Sequence, residues 1–187
     1  MTRSTTTSVD ASLAAGDTGA VVIPGLAMHR LVAHVDARGF LTEFFRSSWG
    51  IAAISQWTAM TLSERAVRGP SVHVRHLDAL IVLSGEMQIG FRDLREGSPV
   101  FCRPYRLTLS GCEPTLVLVP PGVMHTFYAA TGPVLVVVGS THEYLPEDDI
   151  RCRLQDAGMD IDASTIGAED GRAQSLDEVI AALRTRL

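Results

Sequence analysis

"ALIVLSGEMQIGFRD", residues 79–93, sets two apolar-rich segments on either side of a Ser84-Gly85-Glu86 turn. Such a pattern predicts two strands joined by a tight connection. Outward from this pair the signal repeats. "YRLTLS" (105–110), "TLVLVPPG" (115–122), "HTFYAA" (125–130) and "PVLVVVGST" (133–141) follow it, and "QWTAMTL" (56–62) precedes it. Further upstream, residues 31–35 and 40–45 flank "DARG", a hairpin turn. Many short strands at this spacing predict an all-β sandwich or barrel from Val21 to about Ile150. The continuous apolar runs suit strands at the centre of a sandwich.

Two segments break the β pattern. "SSWGIAAISQ" (47–56) reads as a short helix or turn. In "SLDEVIAALRTRL" (175–187), Ser175 caps, Glu178 sits three residues on, and Val179, Ile180, Leu183 and Leu187 recur at helical spacing. The organisation expected is a disordered arm over 1–20, one domain over 21–155, and a linker with a C-terminal helix over 156–187. No internal repeat is apparent.

The bulk numbers narrow the function classes. The chain has 187 residues, enough for one domain with a sizeable core. Its net charge of −5 leaves no basic stripe for a nucleic-acid backbone. All 16 basic residues are arginine, the better fork for phosphate and carboxylate, so a small anionic ligand remains compatible. Cys102, Cys112 and Cys152 form no CxxC pair, which fits reduced thiols and a cytoplasmic setting. No signal peptide and no apolar run approaching ~20 residues are found, so neither secretion nor a membrane span is expected.

"RGPSVHVRHLDALIVLSGE" (68–86) concentrates polar and ionisable groups at the entry to the best strand. With "LVAHVDARGFLTEFFR" (31–46), "FRDLREGSPVF" (91–101), "LVPPGVMHTF" (118–127) and "EYLPEDD" (143–149), it gives five ordered motifs. Together they resemble the cupin family of dTDP-4-dehydrorhamnose 3,5-epimerases across residues 21–155. The family's strings are H-x-D-x-R-G-x-F-x-E-x-F-R, R-G-x-H, D-L-R-x-G-S-P-T-F, I-P-x-G-x-x-H-G-F and Y-x-P-E. Residues 68–85 also align without gaps to the related dTDP-4-keto-sugar 3,4-ketoisomerases, whose R-G-x-H-x-H segment is met by Arg68, Gly69 and His73, with Ser71 for the first histidine. "DDIRC" (148–152) echoes that group too. The resemblance implies a cupin-type β-sandwich or jelly-roll barrel and a homodimer whose N-terminal strands cross between subunits.

It also implies enolisation beside a ketone, which needs a base, an electrophile for the enolate oxygen and an acid on the other face. The family's histidine falls at Ser71, or at His73 with a two-residue shift. Its lysine falls at Asp78 and its tyrosine at Val138. The reading adopted makes His73 the base, assisted by Asp78, while His125 or His142 returns the proton. Arg38 and Arg68 bind the diphosphate, and Glu43, Gln56 and Ser71 face nucleotide or sugar. The substrate implied is a dTDP-4-keto-deoxyhexose or a related ketone, with no metal and no other cofactor required.

Blander roles stand beside these. Arg38 can simply close the "DARG" turn, Arg68 can form a structural salt bridge, and "DLREGSP" reads as a turn. His29 and His34 read as structural, and His76, of opposite strand parity to His73, as facing solvent. Trp49, Trp57, Tyr128 and Tyr144 suit either a sugar or base pocket or core packing. Two other function classes remain: a non-catalytic nucleotide-sugar or partner-binding cupin, and a metal-dependent cupin using His73, Asp78 and His125.

Overall fold

A computed structural model describes residues 23–161 and 172–187. The expected arm over residues 1–20 and residues 162–171 of the expected linker lie outside these. The strands are β1 (Ala27–Arg30), β2 (Ala33–Asp36), β3 (Gly39–Thr42), β4 (Gln56–Leu62), β5 (Val67–His73), β6 (Asp78–Ser84), β7 (Glu86–Asp93), β8 (Pro104–Ser110), β9 (Thr115–Val119), β10 (Val123–Tyr128), β11 (Val134–Ser140) and β12 (Asp149–Arg151). Two short helices follow, α1 (Leu154–Ala157) and α2 (Leu176–Arg184). The segment at 47–56 contributes a single 3-10 turn, Ser47–Trp49.

One sheet runs β1-β9-β6-β11-β4 and the other β12-β5-β10-β7-β8, every ladder antiparallel. The two sheets form the expected jelly-roll sandwich. Strand alternation decides what enters it. From the first sheet Leu80, Val82, Val117, Val119 and Val136 meet Met87, Ile89, Phe91, Val123 and Phe127 of the second, all buried. Leu80, Ile89 and Phe91 are fully enclosed. Burying a side chain of this size contributes roughly 1.5–3 kcal/mol.

The outer face of the second sheet is covered by the C-terminal helix. Val72, Val74, Met124 and Ile150 point away from the sandwich and pack with Val179 and Leu183 of α2. The expected cap is present: Ser175 accepts from the Glu178 amide while the Glu178 carboxylate accepts from the Ser175 amide. β2 and β3 pair only with each other, as a hairpin apart from both sheets. Asp93 anchors the "DLREGSP" turn, its carboxylate accepting from Arg95 and Ser98. No helix among the described residues is long and apolar enough to cross a membrane.

Candidate active site

At one end of the sandwich the inward positions change from aliphatic to polar, and a cavity of about 450 Å³ opens there. β5 presents Ser71 and His73 to it, β6 presents Asp78, and β10 presents His125 and Phe127. β4 adds Gln56 and Met60, and β11 adds Val138 and Ser140. The backbone permits this closeness because Gly69 has φ +86°, and a Cβ there would lie 2.8 Å from the His125 carbonyl oxygen. Ser71 and His125 stand opposite each other in the β5–β10 ladder.

Three imidazoles converge on one carboxylate. His73 Nε2 lies 3.2 Å and His125 Nε2 3.4 Å from Asp78 Oδ2, and His76 Nε2 lies 3.3 Å from Asp78 Oδ1. The rings of His73 and His76 stack with centroids 3.9 Å apart. His76 Nδ1 reaches Asp148 Oδ2 at 2.6 Å, and Asp148 Oδ1 accepts from the amides of Val74 and Arg75. His125 Nδ1 lies 3.2 Å from the Val123 carbonyl oxygen. His73 Nδ1 is buried without a hydrogen-bond partner among the described residues.

The charges follow from these contacts. Burial alone raises the Asp78 carboxyl, but hydrogen bonds from His73 and His76 and the charges of His73 and His125 outweigh it. Asp78 is therefore held well below the usual carboxylate range. Burial lowers His76, yet Asp78 and Asp148 more than compensate and raise it. His125 is lowered, because burial exceeds the pull of Asp78. Asp148 resists burial through its bond from His76 and is lowered. Burial pushes the Cys152 thiol, also at the cavity wall, up to about 11.

His73, His125, Asp78, Gln56, Arg68 and Ser71 thus meet in one cavity. The remaining residues lie elsewhere. His142 is exposed and outside the cavity wall, since β11 ends at Ser140 and alternation does not continue past it. Arg38 and Glu43 lie on and just beyond the hairpin, away from this chain's cavity. Arg38 is ion-paired with Asp36, its side chain 90% exposed, and Glu43 is paired with Arg46. His76 does not face solvent; it is 6% exposed within the cluster, because it lies past the end of β5, in the turn leading to β6, where strand parity no longer sets its direction. Tyr144 reaches the cavity wall, whereas Tyr128 is buried away from it and Trp57 packs against Phe44 and Phe45.

Sequence reasoning passed over Asp148, Asp149 and Arg151 as site groups. Asp149 and Arg151 line the cavity, and Arg151 donates to Asp149 Oδ2 at 2.8 Å. The "DDIRC" echo was the available signal for them. Arg68, also at the wall, pairs with no carboxylate among the described residues; its Nη1 lies 3.6 Å from the Met60 sulfur. For metal ligation, His73, His76 and Asp78 offer one ligand atom each within 4.8 Å of one another.

A two-sheet jelly roll with a histidine–carboxylate cavity at one end is a cupin architecture. The chain belongs to the dTDP-4-dehydrorhamnose 3,5-epimerase family, whose model matches residues 20–178. That match continues past residue 155, where the recognisable motifs stop.

Solved structures agree on the fold. A 4-keto-6-deoxy sugar epimerase from the novobiocin biosynthetic gene cluster of Streptomyces spheroides is 20% identical, with 87% of this chain and 88% of that one covered and a TM-score of 0.76. A dTDP-6-deoxy-D-glucose-3,5-epimerase from Legionella pneumophila, in complex with dTDP-4-keto-L-rhamnose, is 24% identical over 84% and 91%, at 0.75. A 3'-monoepimerase from Streptomyces bikiniensis, in complex with dTDP-quinovose, is 20% identical over 88% of each chain, at 0.76. No curated protein sequence matches the chain.

Proposed function

We propose that this protein epimerises or isomerises a dTDP-linked 4-keto-deoxyhexose by enolisation, with His73 as the base. One observation carries the reading. His73 sits in the cavity wall with Nε2 against the Asp78 carboxylate and Nδ1 free of any protein partner among the described residues. With its Nε2 proton directed to Asp78, the ring keeps an Nδ1 lone pair, enclosed in the free protein, that a small ring rotation turns to a substrate C–H. The imidazolium formed on proton abstraction is stabilised by the same carboxylate. His125, on the other side of Asp78 Oδ2, is the group assigned to proton return. Arg68 binds the diphosphate, and Gln56 and Ser71 contact nucleotide or sugar.

The protein acts as a cytoplasmic homodimer in this account. The separate β2–β3 hairpin supports it, because Val32, Val35, Phe40 and Leu41 are all more than half exposed. In the crossed dimer that the family resemblance implies, Arg38 and Glu43 of one copy serve the cavity of the other. The three free thiols fit a reducing compartment.

Solvent deuterium incorporation tests the proposal. With dTDP-4-keto-6-deoxyglucose in D2O, mass gain dependent on the protein supports catalysis. Binding of dTDP with no mass gain supports the non-catalytic nucleotide-sugar binder, a reading that the loss of histidine at Ser71 favours.

A further inference from the structure

The cluster around Asp78 crowds three imidazoles against two carboxylates and a backbone carbonyl. His125 faces the Val123 carbonyl oxygen with Nδ1 at 3.2 Å and Asp78 Oδ2 with Nε2 at 3.4 Å. A neutral imidazole carries one N–H, so one nitrogen of this ring turns its lone pair toward an oxygen. The ring is 4% exposed, and burial opposes the second proton that would relieve the contact. His76 faces carboxylate oxygens with both nitrogens, Asp148 at 2.6 Å and Asp78 at 3.3 Å. Carboxylates on both sides of the ring are met either by a second proton on His76 or by a metal cation that takes that proton's place.

We propose that His73, His76 and Asp78, with His125 beside them, bind one divalent transition-metal ion. The three ligand atoms lie within 4.8 Å of one another, so a single ion can contact them after small side-chain shifts. The outer contacts suit this arrangement. Metal-ligating histidines ordinarily donate their other N–H to a carboxylate or carbonyl, which fixes the tautomer. Asp148 does this for His76, itself held by two backbone amides, and the Val123 carbonyl does it for His125. His76 also answers the question of Ser71: the nitrogen missing at that position on β5 is supplied from the following turn. Imidazole-rich sets with one carboxylate favour zinc, iron(II), cobalt or nickel over magnesium or calcium.

Metal binding and proton abstraction exclude each other at His73. With Nε2 ligated, a neutral ring carries its proton on Nδ1 and has no lone pair for a substrate. The metal-loaded protein is therefore inactive in enolisation, and metal release restores the base. The binding claim itself needs no substrate, so it stands or falls apart from the proposed reaction.

Calorimetric titration of the chelator-stripped full chain with Co2+ and Zn2+ is the test. The expected result is one ion per chain, with visible Co2+ absorption of a nitrogen–oxygen site. The heat should vary with the buffer's ionisation enthalpy, because protons leave as the ion enters. Asp78→Asn and His76→Asn should weaken affinity at least 100-fold, Asp148→Asn by roughly 10–100-fold, and His142→Asn not at all. If the cluster variants do not fold, histidine 15N spectra of the unaltered protein decide. Zn2+ should then shift His73 and His76 while sparing His29, His34 and His142. Absence of binding, retention of full affinity in the cluster variants, or shifts confined to the other histidines would overturn the proposal.

Discussion

Asp148 Oδ2 lies 2.6 Å from His76 Nδ1 and ties the entry of β12 to the turn between β5 and β6. The same carboxylate holds the amides of Val74 and Arg75. One side chain therefore fixes both the turn's backbone and the ring stacked on His73.

Asp148→Asn keeps one acceptor oxygen but places an amide against His76 or the two amides. Because Asp148 is buried, leaving one of these groups unsatisfied costs about 1–3 kcal/mol. Chemical denaturation should show a lower midpoint with an unchanged slope; an unchanged midpoint would mean that the turn is held by other contacts.

Gly69→Ala tests the backbone beneath the site. Its φ of +86° and the His125 carbonyl 2.8 Å from the added Cβ leave no unstrained conformation. A side chain held in that region costs about 1–3 kcal/mol before the contact is counted. Thermal unfolding should fall in temperature and the His125 ring signals should move, whereas a shift in neither would show that the strand relaxes freely.

Acid stability should report on Asp93. Burial raises this carboxyl, but the bonds from Arg95 and Ser98 and the Arg95 charge outweigh it, so its folded value is lowered. Its contribution to stability is complete above the ordinary Asp value and is lost as pH falls through the lowered folded value. Asp93→Asn should therefore be less stable than the unaltered protein near neutrality, with the difference narrowing under strong acid. A difference independent of pH would contradict this assignment.

Leu41→Asp addresses the hairpin. Charging this exposed apolar surface should convert a dimer to monomer in sedimentation velocity. Arg38→Ala should weaken dTDP binding several-fold while leaving the dimer intact. A monomer before substitution would remove the basis for placing Arg38 in a neighbouring cavity.

The sequence was most legible where hydrogen-bonded ladders impose a period of two. Residues 56–62 coincide with β4, and alternation correctly placed Val138 and Ser140 at the cavity. The Ser175–Glu178 cap was legible because it is local. The same reasoning failed for His76 and His142, each just beyond a strand's last residue, His73 and Ser140. Past a ladder's end, turn geometry rather than parity aims the side chain. Arg38 and Glu43 illustrate a different limit: their motif signals the family, but their position relative to a cavity depends on a second chain.

Proton NMR of dTDP-4-keto-6-deoxyglucose in D2O, with the unaltered protein and with His73→Ala, is the most direct test of the central claim. Loss of the C3 or C5 proton signal with the unaltered protein, abolished by the substitution, is the result predicted. Retention of both signals with the metal-free, dTDP-binding protein, or equal exchange by His73→Ala, would contradict the assignment of His73 as the enolising base.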